Sequence, residues 1–288
     1  MLIFARPKAL EHALELLSQD SWTILAGGTD FYPALRGEVP GTPVLDITAV
    51  SDLSEITVTD SGDYRIGALV TWSAIARAKL PPAFLSLQQS ALEIGSQQIQ
   101  NRATLAGNLC NASPAADGVP PLLCLDASVE LVSHRGVRQI PLTDFIHGNR
   151  RTARDSDELL SAIIIPSEAV QGISLFNKLG TRRFLVISIA MVAARIEIAD
   201  RRIDKLAVAI GSCSVVARRL HTIETMLVGQ SIDDHPEALI TPDHLHELEP
   251  IDDIRATAHY RQQVALQLVK RSLTTTITAS SSDNSGVL

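Results

Sequence analysis

Two glycine-bearing segments govern what this chain can build: Leu25-Ala-Gly-Gly-Thr-Asp30 and Asn101-Arg-Ala-Thr-Leu-Ala-Gly-Asn-Leu-Cys-Asn-Ala-Ser-Pro-Ala-Ala-Asp117. Each leaves an apolar stretch, bares backbone N–H groups where side chains are small, and then offers hydroxyls, amides or a carboxylate. Such loops grip a diphosphate and its sugar without spending lysines on it. Glycine permits positive φ and close approach of backbone to a ligand. A single Gly-Gly turn is an ordinary turn. Two such segments, the second dense in small polar groups, predict a phosphate-bearing cofactor.

The chain has 288 residues, more than one compact core usually holds, so two domains are expected. A nucleic-acid reader needs stacking rings or a basic face, whereas aromatic residues make up 4% and the net charge is −7. The basic cluster Arg150-Arg151 with Arg154 reads as a solvated loop. The start, Met1 to Pro7, lacks the basic and apolar regions of a signal peptide. The longest apolar run, around Leu185 to Ala194, is shorter than the about 20 residues that cross a bilayer. Three cysteines (Cys110, Cys124, Cys213) without CxxC spacing fit a reducing compartment, with no disulfide or zinc framework. The expectation is a cytoplasmic protein.

The pattern predicts helices over 8–18, 31–36, 71–78, 82–94 and 115–125, with Thr29-Asp30 capping the second. Strands are predicted at 23–25, 43–47, 55–58, 64–67 and 159–165, and a hairpin at 128–133 and 137–140 around Arg135-Gly136. Near residue 170 the pattern changes to two long strands, 187–198 and 203–210. Helices at 216–227, 236–248 and 256–273 follow. The boundary falls at Val170–Gly172, which divides the chain into 1–170 (lobes of about 1–55 and 56–170), 172–275 and a flexible tail over 276–288. GxGxxG and GxxxxGK[ST] are both absent, which disfavours a Rossmann domain and a P-loop.

In the first loop the amides of Gly27, Gly28, Thr29 and Asp30 face an anion at a helix start. Asp30 is the awkward member, because a carboxylate repels phosphate; it caps its helix or takes a sugar hydroxyl. In the second, Thr104 offers a hydroxyl, Gly107 allows close passage, and Asn108 and Asn111 carry donors and acceptors. Ser113 precedes Pro114, and Asp117 can accept from ribose or ribitol hydroxyls. His244 and His246 beside Glu247 and Glu249 read as solvated residues rather than a metal site. Cys213, between two serines, reads as a buried thiol.

The order and separation of the loops resemble the FAD-binding medium subunits of the molybdenum hydroxylases, among them xanthine and carbon monoxide dehydrogenases. Ala26 to Asp30 is similar to the family's Ala-Gly-Gly-(Thr/His)-(Asp/Ser) loop, Gln100 to Asn108 to its Arg-Asn-X-(Ala/Gly)-Thr-(Ile/Val)-Gly-Gly-Asn run, and Asn111 to Asp117 to its (Asn/His)-Ala-(Ser/Asp)-Pro-Ala-Ala-Asp run. Asp157-Glu-Leu-Leu160 and Phe176-Asn-Lys-Leu-Gly-Thr-Arg-Arg183 extend the likeness. Two positions depart from the pattern: Ala106 replaces the first paired glycine, and Gln100 stands where arginine is common.

The resemblance implies an α+β fold: a two-lobed FAD-binding domain of the PCMH (vanillyl-alcohol-oxidase-like) type, then a smaller C-terminal domain of antiparallel strands and helices. It implies that Ala26, Gly27, Gly28, Thr29 and Asp30 wrap the FAD diphosphate. Thr104, Gly107, Asn108, Asn111, Ser113 and Asp117 would hold the second phosphate and the sugars, Leu159 would pack at the isoalloxazine, and Lys178 would lie near its polar edge. The implied role is electron transfer from a 2Fe-2S small subunit, fed by a molybdopterin-binding large subunit, through FAD to NAD, oxygen or a quinone. No catalytic side chain and no metal ligand is expected on this chain. A self-sufficient flavin oxidoreductase on the same scaffold, or a flavin-free module, is the alternative.

Overall fold

A computed structural model describes residues 4–182 and 185–283; residues 1–3, Arg183, Phe184 and residues 284–288 lie outside it. The first layer is a small parallel sheet, β1 (Phe4–Ala5), β3 (Val44–Asp46) and β2 (Thr23–Leu25), with β3 in the middle. Helix α1 (Leu10–Gln19) crosses between β1 and β2 and buries Ala13 and Leu17. The short α2 (Phe31–Leu35) follows the first glycine loop. Asp30 stands at its N-cap, but its side chain makes no cap hydrogen bond, contrary to the expected capping role.

Next come β4 (Ile56–Val58), β5 (Tyr64–Gly67), α3 (Trp72–Arg77), α4 (Leu85–Glu93), α5 (Gln97–Gln100), α6 (Leu105–Asn111) and α7 (Val119–Cys124). Strands β6 (Ser128–Ser133) and β7 (Gly136–Pro141) form the expected hairpin. Then α8 (Leu142–Phe145) leads to the small pair β8 (Ile146–Gly148) and β9 (Arg151–Thr152). Strand β10 (Leu159–Ile165) is the centre of a five-stranded antiparallel sheet in the order β4-β5-β10-β6-β7. Every residue of β10 is buried, which explains its unbroken apolar run.

The third sheet, in the order β11-β12-β13-β14, contains β11 (Ile173–Leu179), β12 (Ala190–Ala199), β13 (Arg202–Gly211) and β14 (Arg218–Arg219). It is covered on both faces. Met191 and Ala193 of β12 pack into the core of the first 170 residues, whereas Ala190, Val192, Ala194 and Ile196 pack under α9 (His221–Leu227) and α10 (Ala258–Asp283). The period-two alternation of a strand divides one segment between two cores. The junction is reinforced by charge. Arg195 Nε and Arg219 Nη1 donate to the carbonyls of Cys124 and Leu123, at 2.8 and 2.9 Å. Cations there complement the carbonyls at the end of α7.

Two expectations from the sequence meet a different structure: one helix and the tail. Residues 236–248 form 3-10 turns, Pro236–Leu239 and Pro242–Leu245, rather than a helix. The small polar stretch expected to be a tail instead continues α10 as far as Asp283. Thr274, Thr275 and Thr276 donate their hydroxyls to the carbonyls four residues back. These bonds give hydroxyl side chains a place in a helix that composition does not predict.

Asp253 secures the loop before α10. Burial pushes its pKa up, but the amide of Arg255, the Arg261 guanidinium, the amide of Ala256 and the Arg255 guanidinium overcome this and hold it at about 2 against an ordinary 3.8. A carboxylate with a depressed folded-state pKa stabilises the fold above its unfolded value, and that contribution disappears as pH falls through the folded value. The urea midpoint is therefore expected to fall between about pH 4 and pH 2. Asp253→Asn should flatten that slope, and an unchanged pH profile in the variant would contradict the assignment.

Candidate functional site

The two glycine segments meet. Gly27 lies so close to the Arg102–Ala103 turn that a Cβ on it would stand 2.0 Å from the Arg102 carbonyl oxygen. Gly28 has φ +77°, and a Cβ there would come within 2.7 Å of the Tyr32 ring. None of the amides of Gly27, Gly28, Thr29 and Asp30 donates to another described residue. The loop thus presents four free donors in a row, the feature that makes an anion cradle.

The second segment is a helix, not the loop expected. Thr104 caps α6, its Oγ1 accepting from Gly107 N at 3.0 Å, and Ala112 ends it in the left-handed region at φ 50°. The missed signal was Leu105, Leu109 and Ala112, apolar at i, i+4 and i+7 and all buried. Glycine and two asparagines obscured it by their low helix propensity. Helical spacing puts Thr104, Gly107, Asn108 and Asn111 on the opposite face, at i, i+3, i+4 and i+7. Bonds from Leu105 N to Val70 O and from Trp72 N to Ala103 O fix the start of this helix beside α3.

Between these two surfaces opens a cleft of about 710 Å³. Ala26, Gly27, Gly28, Thr29 and Asp30 line one wall, and Thr104, Gly107, Asn108 and Asn111 line the other. Leu159, at the start of β10, forms part of the floor. Asn108 Oδ1 accepts from Gly118 N at 3.3 Å, which leaves its NH2 group for the cleft. Asn111 Oδ1 is buried without a hydrogen-bond partner among the described residues.

Ser113, Asp117 and Lys178 are not among the lining residues. Ser113 Oγ accepts from Ala115 N within its own turn. Asp117 and Lys178 form a buried ion pair, Nζ to Oδ2 2.5 Å, with Ser188 Oγ donating to the other carboxylate oxygen at 2.6 Å. Gln100 is buried, and its amide donates to the carbonyls of Leu92 and Ile94, at the end of α4.

Several lining residues escaped the sequence reading. Trp22, Ile94 and Ile99 add apolar wall, and Arg150, Thr152 and Arg154 come from the β8–β9 region read as a solvated loop. No pattern in the sequence links these segments, because each reaches the cleft from a separate connection. Outside the cleft, His244 Nδ1 accepts from Thr241 N in a capping box, and no metal-ligating cluster occurs among the described residues. Cys213 is fully buried, and burial pushes its thiol up to about 12.

Comparison with known proteins decides the lineage. The profile of the FAD binding domain in molybdopterin dehydrogenase matches residues 2–168, and that of the CO dehydrogenase flavoprotein C-terminal domain matches residues 176–276. The chain belongs to the molybdopterin dehydrogenase FAD-binding family.

Within this family, the nicotinate dehydrogenase FAD-subunit of Eubacterium barkeri is 37% identical over 78% of this chain and 79% of its own length. The nicotine 6-hydroxylase medium subunit of Paenarthrobacter nicotinovorans is 30% identical over 94% and 95%. Quinoline 2-oxidoreductase from Pseudomonas putida 86 superposes with a TM-score of 0.88 at 25% identity, covering 97% of this chain and 98% of the other. The carbon monoxide dehydrogenase of Hydrogenophaga pseudoflava shares the fold at TM-score 0.85 and 24% identity, over 94% of this chain and 96% of that one. The expected α+β class, with an FAD-binding part followed by a smaller C-terminal part, holds.

The cleft fits the family's cofactor on its own chemistry. Its volume lies within the range of small-molecule sites. Four free amides suit a diphosphate, and the unpartnered Asn111 oxygen suits a hydroxyl donor such as a ribose or ribitol group.

Proposed function

We propose that this chain is the FAD-carrying, electron-transferring subunit of a molybdenum-containing hydroxylase or dehydrogenase. The observation that carries the reading is the meeting of the two segments around one cleft, with free backbone donors on one wall and the polar face of α6 on the other. In this reading Ala26 to Asp30 bind the diphosphate through backbone N–H groups. Thr104, Asn108 and Asn111 orient the sugar and second phosphate, and Gly107 keeps the helix surface low enough for close approach. Leu159 gives the isoalloxazine an apolar floor that excludes water. Ser113 and the Asp117–Lys178 pair hold the wall beyond, with Lys178 toward the polar edge of the ring system.

What FAD supplies when bound is exchange of electrons both singly and in pairs; the protein supplies position and electrostatics. The partners are a 2Fe-2S small subunit as donor and a molybdopterin-binding large subunit where the substrate reacts, and the setting is the cytoplasm. Among the described residues, no helix is long and apolar enough to cross a membrane. Purified full-length chain stripped of flavin should regain flavin absorbance and quench FAD fluorescence on titration. Gly28→Val should lower that uptake, because the Cβ meets Tyr32 at a positive φ. An apo-chain that takes up no FAD would sink the proposal.

A further inference from the structure

We propose that Arg150 and Asp30 form a charge clamp across the mouth of the cleft, which lets the first glycine loop keep a carboxylate beside a bound diphosphate. The inference rests on the FAD reading of the cleft and goes beyond it, to how the site tolerates its one adverse charge.

Asp30 is the sole carboxylate among the described residues lining the cleft. Its side chain makes no cap bond to α2. It faces Arg150 Nη2 instead, at 3.0 Å from Oδ2 and 3.2 Å from Oδ1. Arg150 reaches across from the β8–β9 turn, where its φ is +56°, and its own amide donates to Asn111 O at 3.3 Å. One residue therefore joins the first glycine loop, the end of α6 and the β8–β9 turn. Arg154, the other cation in the lining, gives its guanidinium to the carbonyls of Asp155 and Glu158 and is committed to its own loop.

In the free chain the pair is half exposed, with side chains 49% and 59% accessible, so water screens it and it adds little to folding stability. Binding a dinucleotide expels water from the mouth and brings two further negative charges beside Asp30. Both changes strengthen electrostatic interactions there. Without Arg150 the carboxylate repels the ligand; with it, the charge is cancelled where it stands. The clamp thus acts on affinity rather than on the fold.

The test is FAD titration of the full chain in four forms: wild type, Arg150→Met, Asp30→Asn and the double variant. Arg150→Met should weaken binding about tenfold while leaving the melting temperature of the FAD-free chain unchanged. The double variant should return to within about threefold of wild type, because no carboxylate is left to neutralise. A double variant as weak as Arg150→Met overturns the clamp and makes Arg150 a direct phosphate ligand. Equal binding by wild type and Arg150→Met overturns the clamp alone. A wild-type chain that takes up no FAD overturns the cofactor reading, and the clamp with it.

Discussion

Gly27→Val should yield a chain that folds less stably and retains less FAD through purification than wild type does. A single Cβ at this position would sit 2.0 Å from the Arg102 carbonyl oxygen and 2.9 Å from the Ala103 Cα, both backbone atoms that cannot swing aside. Relief requires the first loop to part from the 102–103 turn. That turn leads straight into Thr104, the cap of α6. Both walls of the cleft therefore shift at once. Overpacking of this kind costs about 1–3 kcal/mol, and a loss of that size in binding alone weakens affinity from several-fold to over a hundredfold. Flavin content after gel filtration and the melting temperature both report it. Gly41→Ala is the control, since a Cβ there meets nothing within 4 Å although Gly41 also lines the cleft. It should retain FAD as wild type does. A Gly27→Val chain with full flavin content would separate the loop contact from cofactor binding.

Lys178→Met is the second large effect, and it falls first on stability. The Lys178 and Asp117 side chains are 5% and 8% exposed, so removal of the ammonium strands a carboxylate in the interior with Ser188 as its remaining donor. Breaking one side of a buried pair costs about 3–5 kcal/mol. Urea unfolding should show that loss as a lower midpoint. The double variant Asp117→Asn with Lys178→Met should recover most of it, because neither charge is then left unpaired. Any FAD affinity still missing in the double variant then belongs to cofactor contact and not to the fold. A loss below about 1 kcal/mol in the single variant would contradict the burial argument.

Much of the fold was legible because its elements obey local rules. The strands Thr23–Leu25 and Leu159–Ile165 run between the residues expected, each marked by an apolar run and a clear stop. The β6–β7 hairpin turns at Gly136, whose φ is +123°. What was not legible depends on partners. Strand β11 was not among the expected strands, and it carries the polar residues Ser174 and Asn177. Their hydrogen-bond partners are Ala83, Ser86 and Ser272, far away in the chain. The extension of α10 rests on threonine hydroxyls bonding backward, which composition cannot reveal. The cleft shows the same division. Its glycines and the polar face of α6 announce themselves in sequence, whereas Arg150 and Trp22 reach it from loops whose only link is tertiary.

Strand β12 sends alternate side chains into two hydrophobic interiors. With Met191 and Ala193, residues Phe176, Ala207 and Ala209 of the same sheet complete the core behind the cofactor cleft. A gene cut after residue 170 would leave that core open to solvent and strip α7 of the guanidinium groups at its end. The flavin-bearing half is therefore not a portable module.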